Sequence, residues 1–179
     1  MTTTPDLFQK AIWYAAKAHQ GQTVPGTQLP YLTHLSQVVS EVWATWHENN
    51  PFDIEKAVLC AWLHDVLEDT PAKEQELHTH FGQTIATGVK ALTKNPELPH
   101  TEQMADSLTR IVTHSPEVCI VKMADRITNL QAPPAHWQLD KRQRYQEEAK
   151  QIWEALHQAN PPIAKRLQAK IDAYSQYLV

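Results

Sequence analysis

Helical periodicity is the feature that most limits how this chain can fold. Apolar side chains recur every three to four residues through most of the sequence, as they do along one face of an amphipathic helix. Only four of the 179 residues are glycine, and no run of alternating apolar and polar residues indicates a half-buried strand. The sequence therefore predicts an all-α fold, a single helical bundle of roughly eight helices over residues 1–179.

Prolines, glycines and capping residues predict the helix boundaries. The first helix is expected to open after Thr4 and to end at Gly21, and the second to begin at a capping Thr33. Asp53 is the predicted cap of a third helix that ends near His64. Further helices are predicted over residues 72–81, 84–92, 102–114, 117–130, 140–159 and 162–177.

Composition and charge narrow the class of partner. The net charge of −4 and the pI of about 6.2 argue against binding to nucleic acid. Cys60 and Cys119 both lie in apolar sequence, so we expect two buried thiols and neither a disulfide nor a cysteine zinc site. Without a leader-like amino terminus or a long apolar run, the chain is predicted to be cytoplasmic and not to bind membranes. The oligomeric state is left open.

The segment Leu63–Thr70 concentrates ionisable groups beside a strongly apolar stretch. It contains His64, Asp65, Glu68 and Asp69 within six residues. His64 continues the apolar stripe of the preceding helix, which predicts that its imidazole is buried. A core histidine bonded to a backbone carbonyl would explain His64 alone. The neighbouring carboxylates favour a functional site, because charged groups that leave water must be paired or bind a metal.

A second polar pattern lies in the helix predicted over residues 117–130. Lys122, Asp125, Arg126 and Asn129 follow the spacing i, i+3, i+4 and i+7, so they share one helix face. The simpler interpretation of this face is a solvated surface with one ion pair. The alternative is a polar stripe that contributes to a site.

Side chains that could bind a divalent cation occur on three of the predicted helices. His34 lies near the start of one helix, His64 and Asp65 lie at the end of another, and Asp125 belongs to the polar stripe. Two imidazoles and two carboxylates without a thiolate predict Mn²⁺ first, and Fe²⁺, Zn²⁺ or Mg²⁺ with less preference. Spacing alone does not select these four residues from the ten histidines and eight aspartates of the chain.

Six short motifs follow one another along the chain. They are Ala-His-Gln-Gly-Gln at 18–22, Pro-Tyr-Leu-Thr-His at 30–34, the segment 63–70, Phe-Gly at 81–82, Ala-Leu-Thr-Lys at 91–94 and Val-Lys-Met-Ala-Asp-Arg-Ile-Thr-Asn-Leu at 121–130. The motifs fall within a core of residues 7–130, which C-terminal helices over residues 137–179 are expected to follow. In this order, the series resembles the HD-domain metal-dependent phosphohydrolases, and among them the hydrolase domain of the RelA/SpoT family and its small stand-alone alarmone hydrolases.

The resemblance implies a reaction and assigns roles to residues. Alarmone hydrolases remove pyrophosphate from the 3′ position of guanosine tetra- or pentaphosphate, so the implied partner is a small phosphorylated nucleotide. The implied metal ligands are His34, His64, Asp65 and Asp125, and the implied acid/base residues are Glu68 and Asp69. The substrate-binding set is Tyr31, Lys122, Arg126 and Asn129. Within this set, Asn129 would bond the ribose or base, while Lys122 and Arg126 would either offset phosphate charge or brace the metal-binding carboxylates.

The sequence departs from the family between His19 and His34. Alarmone hydrolases usually carry an adjacent Arg-Lys pair in this loop, whereas residues 20–33 contain no lysine or arginine. Three functions therefore stay open: hydrolysis of guanosine tetraphosphate, hydrolysis of another phosphorylated nucleotide or metabolite, and nucleotide binding without turnover. The presence of both Glu68 and Asp69 argues against the third. It is also open whether residues 132–137 form a lid or simply end the preceding helix.

Overall fold

The computed structural model describes residues 3–47, 49 and 51–179, and in these residues the all-α prediction is confirmed. No β-strand occurs among the described residues, and an isolated antiparallel bridge joins Thr23 to Pro30. The helices are α1 Thr4–Ala18, α2 Leu32–Thr45, α3 Ile54–Leu63, α4 Val66–Asp69, α5 Glu74–Phe81, α6 Gln83–Leu92, α7 His100–Val112, α8 Pro116–Asn129, α9 Leu139–Leu156 and α10 Pro161–Tyr174, followed by a 3₁₀ turn over Ser175–Tyr177.

Local sequence rules account for most of these boundaries. Asp53 caps α3 as predicted, because its Oδ1 accepts the backbone N–H of Lys56 at 3.0 Å. The predicted cap of α2 is wrong: the helix already begins at Leu32, so Thr33 lies inside its first turn. Helix α4 was not predicted, since a single turn is too short to show a periodicity.

Helix α8 lies at the centre of the fold. It packs against α2, α3, α6, α7, α9 and α10, and every residue from Glu117 to Thr128 is buried. Lys122, Asp125 and Arg126 keep only 8%, 7% and 4% of their surface exposed. The interpretation of the stripe as a solvated face is therefore wrong for these three residues, because neighbouring helices cover them, whereas Asn129 at the end of the stripe is exposed.

The predicted buried thiols are confirmed. Cys60 and Cys119 are free and buried, and burial raises the pKa of Cys60 to about 12 and that of Cys119 to about 11. Both cysteines are therefore poor nucleophiles at neutral pH. Among the described residues, none of the helices is both long enough and apolar enough to cross a membrane.

The segment predicted to end the α8 helix packs against the loop between α1 and α2. Gly26 in this loop has a φ of +78°, which favours glycine. A Cβ added to Gly26 would lie 3.4 Å from Cγ of Pro134, so the two segments approach closely. Whether residues 132–137 close over a ligand stays a prediction.

Candidate functional site

Helices α2, α3 and α8 bring the four predicted metal ligands together. His34 lies in the first turn of α2, His64 directly follows α3, and Asp125 lies in α8. Within the part of the chain that the structure describes, these three buried residues form a group whose candidate ligand atoms all lie within 4.8 Å of one another. Asp65 joins them, because its Oδ2 lies 2.9 Å from Nε2 of His64 and 3.6 Å from Nε2 of His34.

Hydrogen bonds orient the two imidazoles so that both present Nε2 to this cluster. Nδ1 of His64 lies 2.9 Å from the carbonyl oxygen of Ala61, which can only accept, so this nitrogen carries the hydrogen. The hydroxyl of Thr128 donates to the carbonyl oxygen of Asp125 at 2.8 Å and lies 3.4 Å from Nδ1 of His34. Its oxygen can therefore accept from Nδ1 of His34. Each Nε2 therefore faces the carboxylates, where it can bind a metal ion in place of its proton.

Charges in the cluster compensate one another despite their burial. Burial alone would raise the pKa of Asp125, but Lys122 and the imidazoles of His34 and His64 lower it well below its usual value. Burial alone would lower the pKa of His64, whereas Asp65 and Asp125 raise it well above its usual value. The imidazoles of His34 and His64 and the carboxylate of Asp125, with the carboxylate of Asp65 beside both imidazoles, fit a divalent cation, since a cation can replace the protons that the cluster otherwise holds.

Tyr31 bridges the candidate metal ligands and the candidate acid/base residues. Its hydroxyl donates to Oδ2 of Asp65 at 2.6 Å and lies 3.3 Å from Oδ2 of Asp69. Its ring stacks on His19 with the ring centroids 4.7 Å apart. Burial and the nearby carboxylates raise the pKa of Tyr31, so the phenol stays protonated and can donate. The hydroxyl is thus engaged with two carboxylates.

The short helix α4 places Glu68 and Asp69 in different surroundings. Oε2 of Glu68 accepts the backbone N–H of Lys94 at 2.9 Å, and Oε1 lies 3.8 Å from the ammonium of Lys94. Glu68 and Lys94 line a cavity of about 1100 Å³. Asp69 instead contacts Tyr31, and burial together with the charges of Asp65 and Glu68 raises its pKa. Two neighbouring carboxyl groups therefore differ in how they are held.

The structure brings three of the four predicted substrate-binding residues to the site. Besides Tyr31, Lys122 lies there with its ammonium 3.2 Å from Oδ2 of Asp125, and the side-chain amide of Asn129 donates to Oδ1 of the same carboxylate. The guanidinium of Arg126 lies outside the candidate site. It pairs with Glu148 of α9 at 3.2 Å and lies over the ring of another α9 residue, Tyr145.

Three residues to which the sequence patterns assigned no role contact the candidate acid/base residues, Gln22 and Lys94 directly and His19 through Gln22. Nδ1 of His19 lies 2.7 Å from Oε1 of Gln22, whose amide donates to the backbone carbonyl of Asp69 at 2.8 Å. Lys94 holds Glu68 as described above. All three residues occur in the motifs at 18–22 and 91–94, so the motifs were the signal that could have found them.

The chain is similar in sequence to proteins of known activity. The chain is 30% identical over 170 residues to guanosine-3′,5′-bis(diphosphate) 3′-pyrophosphohydrolase MESH1 of Danio rerio, a match that covers 90% of this chain and 91% of the relative. It is 29% identical over 158 residues to the bifunctional (p)ppGpp synthase/hydrolase SpoT of Escherichia coli, covering 83% of this chain and 21% of that longer protein.

A solved structure and a family profile extend the comparison to the fold. The structure, described as a metazoan ortholog of SpoT that hydrolyzes ppGpp and plays a role in starvation responses, superposes with a TM-score of 0.82 at 25% identity and covers 97% of both chains. The profile of the HD domain matches residues 11–162, which is most of the sequence. On this match and the relatives above, the chain belongs to the HD domain family.

Proposed function

We propose that this chain is a metal-dependent pyrophosphohydrolase that converts guanosine 3′,5′-bis(diphosphate) and water to GDP and pyrophosphate. The observation that carries the proposal is the convergence of His34, His64, Asp65 and Asp125, with the carboxylate of Asp69 linked to them through Tyr31. The substrate is inferred from the relative of Danio rerio, which carries that name and matches 90% of this chain.

Hydrolases of the HD family are metal-dependent, and this chain has a possible His-His-Asp metal site. We propose that His34, His64, Asp65 and Asp125 hold one divalent ion, with Mn²⁺ preferred over Fe²⁺, Zn²⁺ or Mg²⁺. A mixed nitrogen and oxygen donor set without thiolate supports Mn²⁺. A divalent ion bound there lowers the pKa of water and offsets phosphate charge.

Glu68 and Asp69 divide the proton transfers between them in this proposal. Glu68, held by Lys94, accepts a proton from the attacking water. The bond from water oxygen to phosphorus forms as the bond from phosphorus to the ribose 3′ oxygen breaks. Asp69, whose pKa is raised, supplies the proton that the 3′ oxygen needs. Proton exchange with solvent restores both carboxyl groups.

The remaining site residues are proposed to position the ligands and the nucleotide. Lys122 is buried and paired with Asp125, which supports a bracing role over direct contact with phosphate. Asn129 contacts the same carboxylate but is exposed to solvent, so it could also reach the ribose or base. Arg126 is engaged by α9, which argues against its predicted contact with the substrate.

A second candidate function has the same metal-dependent hydrolysis but a different substrate. The loop over residues 20–33 contains no lysine or arginine that could clamp a phosphate or stack on a base. This observation favours an HD phosphohydrolase of another phosphorylated nucleotide. Nucleotide binding without turnover is the third possibility. The Tyr31 hydroxyl, which lies between Asp69 and the candidate ligand Asp65, argues against it, because a further carboxylate is thereby held beside the ligand cluster.

One experiment separates these functions. Metal-free protein is loaded with Mn²⁺ and offered guanosine tetraphosphate, nucleoside triphosphates and nucleoside monophosphates, with release of pyrophosphate and orthophosphate as the readout. Pyrophosphate from guanosine tetraphosphate supports the first function, and orthophosphate from monophosphates supports the second. Nucleotide binding without any release supports the third.

Two variants test the assigned roles. Asp65→Ala is expected to lose both Mn²⁺ binding and activity, whereas Glu68→Ala is expected to keep Mn²⁺ and lose rate. Glu147→Ala, which removes an exposed carboxylate on α9, serves as the matched control and should keep both. An active Glu68→Ala enzyme would remove Glu68 from the mechanism.

The organisation as a single domain, the cytoplasmic location and the absence of nucleic-acid and membrane partners stay predictions. Light scattering of the purified protein measures the oligomeric state.

A further inference from the structure

Arg110 caps the C-terminal end of α6 from the neighbouring helix α7. Its Nη1 donates to the carbonyl oxygens of Lys90 and Ala91 at 2.7 and 3.0 Å, and its Nη2 donates to that of Thr93 at 2.9 Å. Asp106, one turn earlier in α7, accepts from Nε and Nη2 at 3.0 and 2.8 Å. The last carbonyls of a helix lack partners within the helix, so a planar cation bonded to three of them restrains the backbone there.

The residue that follows this capped end holds a candidate catalytic group. Lys94 is joined to Thr93 by a peptide bond, and its N–H donates to Oε2 of Glu68 at 2.9 Å. The ammonium of Lys94 adds only a 3.8 Å contact to the other oxygen, and both side chains are about one-third exposed. Because an exposed ion pair at this distance restrains a long side chain weakly, the backbone N–H is the firmer anchor of Glu68.

We propose that Arg110 is a positioning residue for Glu68. By fixing the carbonyls at the end of α6, Arg110 sets the direction of the Lys94 N–H, and this N–H holds the carboxylate where it accepts a proton from water. The inference rests on the proposed function, since it takes Glu68 as the base of the hydrolysis. Arg110 acts through the backbone of Lys94 and makes no contact with the candidate metal ligands.

Arg110 also lines the cavity of about 1100 Å³ beside Glu68, so a direct contact with substrate phosphate is the competing explanation. The two explanations differ in their kinetics. A positioning residue lowers kcat and acts only while Glu68 is present. A phosphate-binding arginine raises KM and acts whatever residue occupies position 68.

A double-mutant cycle tests the proposal in the metal-loaded full chain. Arg110→Met is expected to lower kcat about tenfold to a hundredfold, with KM changed less than threefold. In the Glu68→Gln background the same substitution is expected to change kcat less than twofold, because the group it positions is already inactive. Equal losses in both backgrounds, or a loss confined to KM, would overturn the proposal.

Arg144→Met is the matched control. Arg144 also pairs with an aspartate four residues earlier, Asp140 at 3.4 Å, on the exposed surface of α9. Its loss should leave kcat and KM unchanged. Arg110→Lys is measured in parallel, because it keeps the charge and a long side chain but cannot span three carbonyls. Arg110→Lys is expected to lower kcat by a smaller factor than Arg110→Met, again with little change in KM. Full recovery of kcat by lysine would overturn the role of the guanidinium fork.

A second measurement does not depend on turnover. Amide hydrogen exchange at Lys94, followed by NMR without nucleotide, is expected to be at least tenfold faster in Arg110→Met than in the wild type and unchanged in Arg144→Met. Unchanged exchange at Lys94 would overturn the positioning role even in an active enzyme. If the exchange behaves as expected but no nucleotide is hydrolysed by the wild type, the restraint by Arg110 stands and the proposed function fails.

Discussion

Replacing Tyr31 by phenylalanine separates two roles for this residue. The resemblance to alarmone hydrolases placed Tyr31 among the substrate-binding residues, whereas its hydroxyl donates to Asp65 at 2.6 Å and lies 3.3 Å from Asp69. Phenylalanine keeps the ring that stacks on His19 and removes only the hydroxyl. The substitution therefore tests the hydrogen bonds alone.

The expected magnitude follows from the kind of hydrogen bond that is lost. A bond to a charged acceptor contributes about 1.5–3 kcal/mol. Removal of a group that orients a metal ligand typically weakens metal binding by about tenfold to a hundredfold, which corresponds to about 1.4–2.7 kcal/mol at 1.36 kcal/mol per decade. Because the two ranges agree, we expect the Kd for Mn²⁺ to rise by that factor, and the rate at subsaturating Mn²⁺ to fall with it.

The assay compares metal binding with substrate binding. The Kd for Mn²⁺ is measured by competition with a fluorescent chelator, and KM for guanosine tetraphosphate is measured at saturating Mn²⁺, where it should change less than threefold. Tyr14→Phe is the matched control, because the Tyr14 hydroxyl donates to Glu76 at 2.9 Å outside the site. A Tyr31→Phe protein with unchanged Kd for Mn²⁺ and raised KM would refute the reasoning and restore a substrate-binding role.

Three further predictions concern the ligand cluster and the stability of the fold. Asp125→Ala should abolish Mn²⁺ binding, as measured by calorimetry, and retained binding would contradict its proposed role as a ligand. Thr128→Val removes the acceptor for Nδ1 of His34 and should weaken Mn²⁺ binding about tenfold, whereas an unchanged Kd would show that this contact does not orient the ring. Glu117 accepts the N–H of Asp53 and pairs with Lys56. Although burial opposes it, the hydrogen bond from the backbone N–H of Glu117 itself, followed by the contacts with Asp53 and Lys56, lowers its pKa below the usual 4.5. Its ionised form therefore stabilises the fold above that pH and stops doing so as pH falls through the lowered pKa, so Glu117→Gln should lower Tm at pH 7 and lose this difference in acid. A difference in Tm that persists at pH 2 would contradict this assignment.

Packing explains where predictions from the sequence were wrong. The spacing of Lys122, Asp125 and Arg126 correctly placed them on a shared face of α8, but spacing does not tell whether another helix covers that face. Helix α9 covers it near Arg126, so this guanidinium is bonded to Glu148 and not to the site. Helix α4 escaped prediction because one turn is shorter than the period that identifies helices.

The sequence by itself determined the all-α class, most helix boundaries, the burial of His64 and the residue types of the candidate site. The fold class, the helix boundaries and the burial of His64 depend on the side chains of one segment and its period, whereas the site residues were assigned by the resemblance to alarmone hydrolases. Only the tertiary structure decided that His34, His64 and Asp125 meet within 4.8 Å and that Tyr31 joins Asp65 to Asp69. These residues lie tens of positions apart, so their distances are set by the packing of α2 and α3 against α8, which no local pattern encodes.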